Sequence, residues 1–112
     1  RTLGAAGAAW LAQEVKRDTY VRRVDASSNA IGDGGASALA LALPSNRTLT
    51  ALNLRSNSIR ASGARELAVA LRHSSLLSLS LQSNDIGAGG AAALAQALQS
   101  DCVQLTELNL RE

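Results

Sequence analysis

Residues 49–60 read LTALNLRSNSIR, and two other stretches repeat the pattern: VRRVDASSNAIG at 21–32 and LLSLSLQSNDIG at 76–87. The three align without a gap on L-x-x-L-x-L-x-x-N-x-I, with Val21, Val24 and Ala26 replacing leucine in the first. Their asparagines, Asn29, Asn57 and Asn84, recur 28 and 27 residues apart. A fourth copy, LTELNLRE, begins at Leu105 and stops before its asparagine. A fixed period of this length marks a stacked array of one supersecondary unit.

The second half of each period repeats as well. GGASALALAL (34–43), SGARELAVAL (62–71) and GGAAALAQAL (89–98) share G-A-x-x-L-A-x-A-L. Leu39 and Leu43, Leu67 and Leu71, and Leu94 and Leu98 are spaced i, i+4, with Ala36, Ala64 and Ala91 three residues earlier. That spacing predicts one apolar face of a helix. The start of the chain, LGAAGAAWLAQEV at 3–15, fits the same register through Leu3, Gly4, Gly7, Ala8, Leu11 and Val15. It therefore reads as the helical half of a repeat and not as a secretory leader.

These units are similar to leucine-rich repeats of the ribonuclease-inhibitor-like subtype, and resemble the C-terminal repeats of NOD-like receptors. The resemblance covers essentially the whole chain. It implies an α/β fold: a right-handed solenoid, a horseshoe segment with a parallel sheet on its concave face and helices on its convex face. The chain 1–112 is expected to be a single segment of about 3.5–4 repeats of 27–29 residues, part of a longer array. Physical spacing gives the same shape. Strands stack about 4.8 Å apart while helices need about 10 Å, so the sheet side is the shorter one.

Composition fits thin, close layers. Leucine and alanine supply most of the apolar residues, with no Phe or Met and a single Trp and Tyr. A net charge of +2 and scattered basic residues, without aromatics to stack bases, argue against nucleic acid as a partner. No apolar run approaches the ~18–20 residues of a membrane span. The single cysteine, Cys102, makes no internal disulfide and fits a cytoplasmic protein.

Several residues look like chemistry. Gly32-Asp33-Gly34-Gly35 lies between strand and helix, as phosphate-binding loops do, but matches neither G-x-G-x-x-G nor G-K-[ST]. Gly7, Gly35, Gly63 and Gly90 are expected instead to let the helix start pack closely against the strand, with Ser62 as an N-cap. His73, Asp101 and Cys102 fall in helix-to-strand loops, without the spacing of a catalytic triad or a metal site. No enzyme activity and no cofactor are expected. Asn46-Arg47-Thr48 forms an N-glycosylation sequon. Trp10 lies off the apolar stripe and is expected to cover a flank.

Asn29, Asn57 and Asn84 read as a structural ladder, because an amide supplies both donor and acceptor to buried turns. The functional candidates are the outward residues of the strands, in three columns. The first is Arg23, Ala51, Ser78 and Glu107; the second Asp25, Asn53, Ser80 and Asn109; the third Ser27, Arg55, Gln82 and Arg111. Arg23, Arg55 and Arg111 are the expected anchors for a protein partner, since arginine is enriched at interface hot spots. Such a face covers a few hundred Å², against ~800 Å² per partner in a standard interface, so either more repeats or the ends and helices are expected to take part. The open ends also predict self-association.

The expected role is a protein-interaction scaffold of a larger intracellular protein, with ligand sensing or autoinhibition implied by the NOD-like resemblance. Two alternatives follow from the same repeat subtype. One is a regulator of a small GTPase resembling Ran GTPase-activating protein. The other is a structural component of a flagellar or cytoskeletal assembly.

Overall fold

A computed structural model of the chain describes residues 4–111; Leu3 lies outside them. Helix α1 (Gly4–Arg17) comes first, followed by strand β1 (Arg23–Asp25) and helix α2 (Gly32–Ala42). A 3-10 turn, Leu43–Ser45, leads to β2 (Ala51–Asn53) and α3 (Ala61–Leu71). Then come β3 (Ser78–Ser80), α4 (Gly87–Leu98) and β4 (Glu107–Asn109). The strands form one parallel sheet in the order β1-β2-β3-β4. Strand follows strand through a helical crossover, as parallel pairing requires.

The sheet register equals the sequence alignment. Val24 stands beside Leu52, Leu52 beside Leu79, and Leu79 beside Leu108. Period-2 alternation sends these residues, with Leu54 and Leu81, toward the helices. Leu52, Leu54, Leu79 and Leu81 are buried, while Val24, Leu108 and Leu110 are half-buried at the outer strands. Leu39, Leu43, Leu67, Leu71 and Leu94 meet them from the helices. Leu98 is 42 % exposed, because α4 has a neighbouring helix on one side only.

Glycine and alanine set the distance between helices. A Cβ placed on Gly35 would sit 2.7 Å from Ala8 Cβ and against the methyl of Ile31. One on Gly63 would sit 3.1 Å from Ala36 Cβ, and one on Gly90 3.1 Å from Ala64 Cβ. These glycines thus seat the alanine of the preceding helix, not the strand as expected. The alanine positions explain the pattern of burial. Ala36, Ala40, Ala64 and Ala68 are buried under the next helix, whereas Ala91 is half-buried and Ala95 exposed on α4.

Ser62 does not cap α3; it lies inside the helix, whose N-cap is Arg60. The oxygen comes from the preceding repeat. Asp33 Oδ1 accepts from Arg60 N at 2.7 Å and Gly63 N at 3.1 Å. The residues 32–35, expected as a loop, form the first turn of α2, and the Asp33 carboxylate there is committed to a neighbouring helix start, a position hostile to a phosphate.

Candidate functional site

Each repeat turns off its strand through a left-handed serine, Ser28, Ser56 or Ser83, and the asparagine that follows it. The asparagine amides then link the turns. Asn57 Oδ1 accepts from Asn29 N at 2.8 Å and Ile31 N at 3.3 Å, and its Nδ2 donates to Ala26 O at 2.9 Å and Arg55 O at 3.2 Å. Asn84 repeats this one step on, accepting from Asn57 N at 2.8 Å and Ile59 N at 3.0 Å. Its Nδ2 donates to Leu54 O and Leu81 O at 2.9 and 3.0 Å. Asn29 Nδ2 donates to Ala26 O and Ser27 O. Each oxygen thus serves the repeat before it, and the ladder runs along the solenoid.

A second polar line, which the sequence pattern hides, runs on the opposite edge. Asn46 is 4 % exposed. Its Nδ2 donates to Val15 O at 2.6 Å, while its Oδ1 accepts from Leu49 N at 2.7 Å and Thr48 N at 2.9 Å. Asp18 takes the same place one repeat earlier, accepting from Val21 N and Tyr20 N at 2.5 and 2.7 Å. Those two backbone donors, Val21 first, hold its carboxyl below the usual carboxylate range. Ser74 and Ser100 accept from Leu76 N and Cys102 N in the following loops. The sequon asparagine is thus a buried tie, with both amide hydrogens and the oxygen engaged. The signal for it was the polar residue three positions before Val21 and Leu49.

The outward columns divide by what the fold asks of them. The second column shapes the strand ends. Asp25, Asn53 and Asn109 each accept, through Oδ1, from the backbone N–H two residues on, at 3.0 Å. Ser80 Oγ meets Gln82 N at 3.5 Å. These are Asx-type turns, so these side chains are partly consumed by the chain itself. Ser27, through its side chain first and its backbone second, lowers the Asp25 carboxyl from its ordinary value.

The other columns are freer. Ser78 Oγ donates to Glu107 Oε1 at 3.1 Å, and Asn109 Nδ2 donates to Gln82 Oε1 at 3.2 Å. Arg23, Arg55 and Arg111 are exposed, and their guanidinium groups bond no side chain or backbone among the described residues. Ser27 is half-buried beside them. The strands bring the first two columns to one face and the turns that follow continue it through the third, with three arginines unengaged across it. Trp10 is 60 % exposed on α1, away from this face's strands.

Parallel strands in register, helices behind them and an asparagine ladder at each turn define a solenoid repeat protein. The profile of the family described as "Leucine Rich repeat" matches residues 17–40, 45–68 and 72–95, and the chain belongs to that family. No curated protein sequence matches the chain significantly. Among solved structures, the leiomodin-1 actin-binding site 2 is similar at a TM-score of 0.86 and 21 % identity, over 100 % of this chain and 69 % of that one. At that identity the likeness is one of fold.

Proposed function

We propose that this chain acts as a protein-interaction scaffold, without catalysis, and that the partner meets the outward face of the sheet. The observation that carries the reading is the division of labour among polar residues. Asparagines and Asx turns serve the frame, while Arg23, Arg55 and Arg111 serve nothing in it. Ordering a long arginine costs side-chain entropy, which a partner carboxylate offsets by bidentate hydrogen bonds. The lone exposed thiol of Cys102 supports a reducing, cytoplasmic setting. The similarity to NOD-like receptor repeats supports ligand sensing or autoinhibition as the process served.

The test is the triple variant R23E, R55E and R111E. Its thermal unfolding is expected to match the wild type within about 0.5 kcal/mol, as for surface changes away from structural contacts. Capture of a purified partner is expected to fall at least tenfold. Unchanged capture would remove the sheet face as the binding surface.

A second reading is cytoskeletal, favoured by the fold similarity to an actin-binding site of leiomodin-1. On that reading the partner is actin. Co-sedimentation with filamentous actin decides it: the chain pellets with filaments and the triple variant does not. A chain that stays in the supernatant with both removes this reading.

A further inference from the structure

On the edge where helices hand over to strands, an open groove of about 680 Å³ crosses successive loops. Arg47, Arg72, His73, Cys102 and Gln104 line it, and none of the sheet-face candidates does. No aspartate or glutamate lines it among the described residues. The guanidinium groups of Arg47 and Arg72 have no partner among those residues. We propose that this groove docks an acidic peptide segment of a partner protein.

Three observations support that occupant. First, the polar groups at the base of the groove are already used. Asn46 ties two loops together, and Ser75 Oγ donates to Leu49 O at 2.7 Å. What remains for a ligand is two arginine forks, with the His73 ring and the Gln104 amide beside them. Planar forks match carboxylates two bonds at a time.

Second, compensation of helix dipoles does not explain the set. Arg72 is the C-cap of α3, where a cation offsets the negative helix end. Arg47 follows Asn46, whose backbone is already extended beyond the 3-10 turn. Its charge has no helix end to serve. Of the acidic groups on this edge, Asp18 is committed to Tyr20 and Val21 N–H, Asp101 is exposed next to Cys102 but does not line the groove, and Lys16 and Arg17 add positive charge at the end of α1.

Third, no Phe, Tyr or Trp lines the groove, so a nucleic-acid base would find only the His73 ring and the arginine planes to stack on. A flexible acidic peptide fits an open, polar trough better than a stacked strand does.

Cys102 supplies a built-in reporter, as the sole thiol of the chain. The test uses the full chain and a hexaglutamate peptide at low salt, with hexauridylate as the competing polyanion. Saturable peptide binding is expected, with Cys102 protected from iodoacetamide. R47Q with R72Q is expected to weaken binding about tenfold, as for the loss of two exposed charge pairs, with an unchanged circular-dichroism spectrum. R55E with R111E is expected to leave it unchanged, so this proposal and the sheet-face reading stand or fall separately. Three results would overturn it: equal binding by the R47Q, R72Q variant; alkylation of Cys102 at an undiminished rate; or hexauridylate binding as tightly as the peptide.

Discussion

Replacing Asn57 with alanine removes one rung of the ladder, and the consequences can be followed atom by atom. Two acceptors survive the loss: Ala26 O still receives Asn29 Nδ2, and Arg55 O still receives Ser28 N. Two donors do not. Asn29 N and Ile31 N bond to Asn57 Oδ1, and Ile31 is fully buried. An orphaned buried donor costs about 1–3 kcal/mol, and the half-buried Asn29 N–H recovers part of its loss through water. The sum is about 3 kcal/mol. A domain of this size is stable by about 5–15 kcal/mol, so the change is a large share of the total.

Urea denaturation measures it. With a slope of about 1–3 kcal/mol per molar, the midpoint should fall by about 1–3 M. Asn84→Ala should behave alike, since it orphans Asn57 N and Ile59 N. Ser58→Ala is the control: its side chain is exposed and its φ of 59° is unchanged in kind. It should stay within about 0.5 kcal/mol of the wild type. If Asn57→Ala fell no further than Ser58→Ala, the asparagines would not be holding the turns together.

Neighbouring glycines should respond in opposite directions. Gly35→Ala should destabilise by about 1–2 kcal/mol, because overpacking against Ala8 outweighs the gain in helix propensity. Gly34→Ala meets nothing within 4 Å and should stabilise by about 0.5–1 kcal/mol, both read by chemical denaturation. If the chain is passed through a secretory pathway, its folded fraction should carry no glycan on Asn46, by intact mass before and after glycosidase. Asn46→Ala should cost about 2–3 kcal/mol through the orphaned Thr48 and Leu49 donors. The Asp18 carboxyl is lowered on folding from its ordinary 3.8. Its stabilisation is therefore present above that value and lost as pH falls through the folded one. Asp18→Asn keeps an acceptor oxygen for both donors, so its stability should decline less on acidification than the wild type's.

The sequence pattern carried the fold because every repeat solves one packing problem with the same residues. Leu52 and Leu79 share a register that the alignment already contains, and Ile31, Ile59 and Ile86 fill one position under successive turns. What the pattern concealed were contacts that cross between repeats. Asp33 caps the next helix from 27 residues away, a partner that no local capping rule finds. Gly35 seats Ala8 of the preceding helix, so its role depends on a residue in another unit. Asn46 carries a surface-modification motif yet lies buried, since the loop needs its amide more than solvent does.

The candidate face was readable as three columns, but not the difference among them. Outward alternation treats Asn53 and Arg55 alike. Only the backbone geometry separates an asparagine that closes its own turn from an arginine that closes none.

Site-specific photo-cross-linking shows whether a partner sits on the outward face of the sheet. A benzophenone amino acid replaces either Gln82, on the sheet face, or Glu66, exposed on α3. Partner adducts are expected from position 82, lost when R55E and R111E are added, and none from position 66. Adducts from position 66 alone, or adducts from position 82 that persist after both charge reversals, would contradict the sheet-face reading.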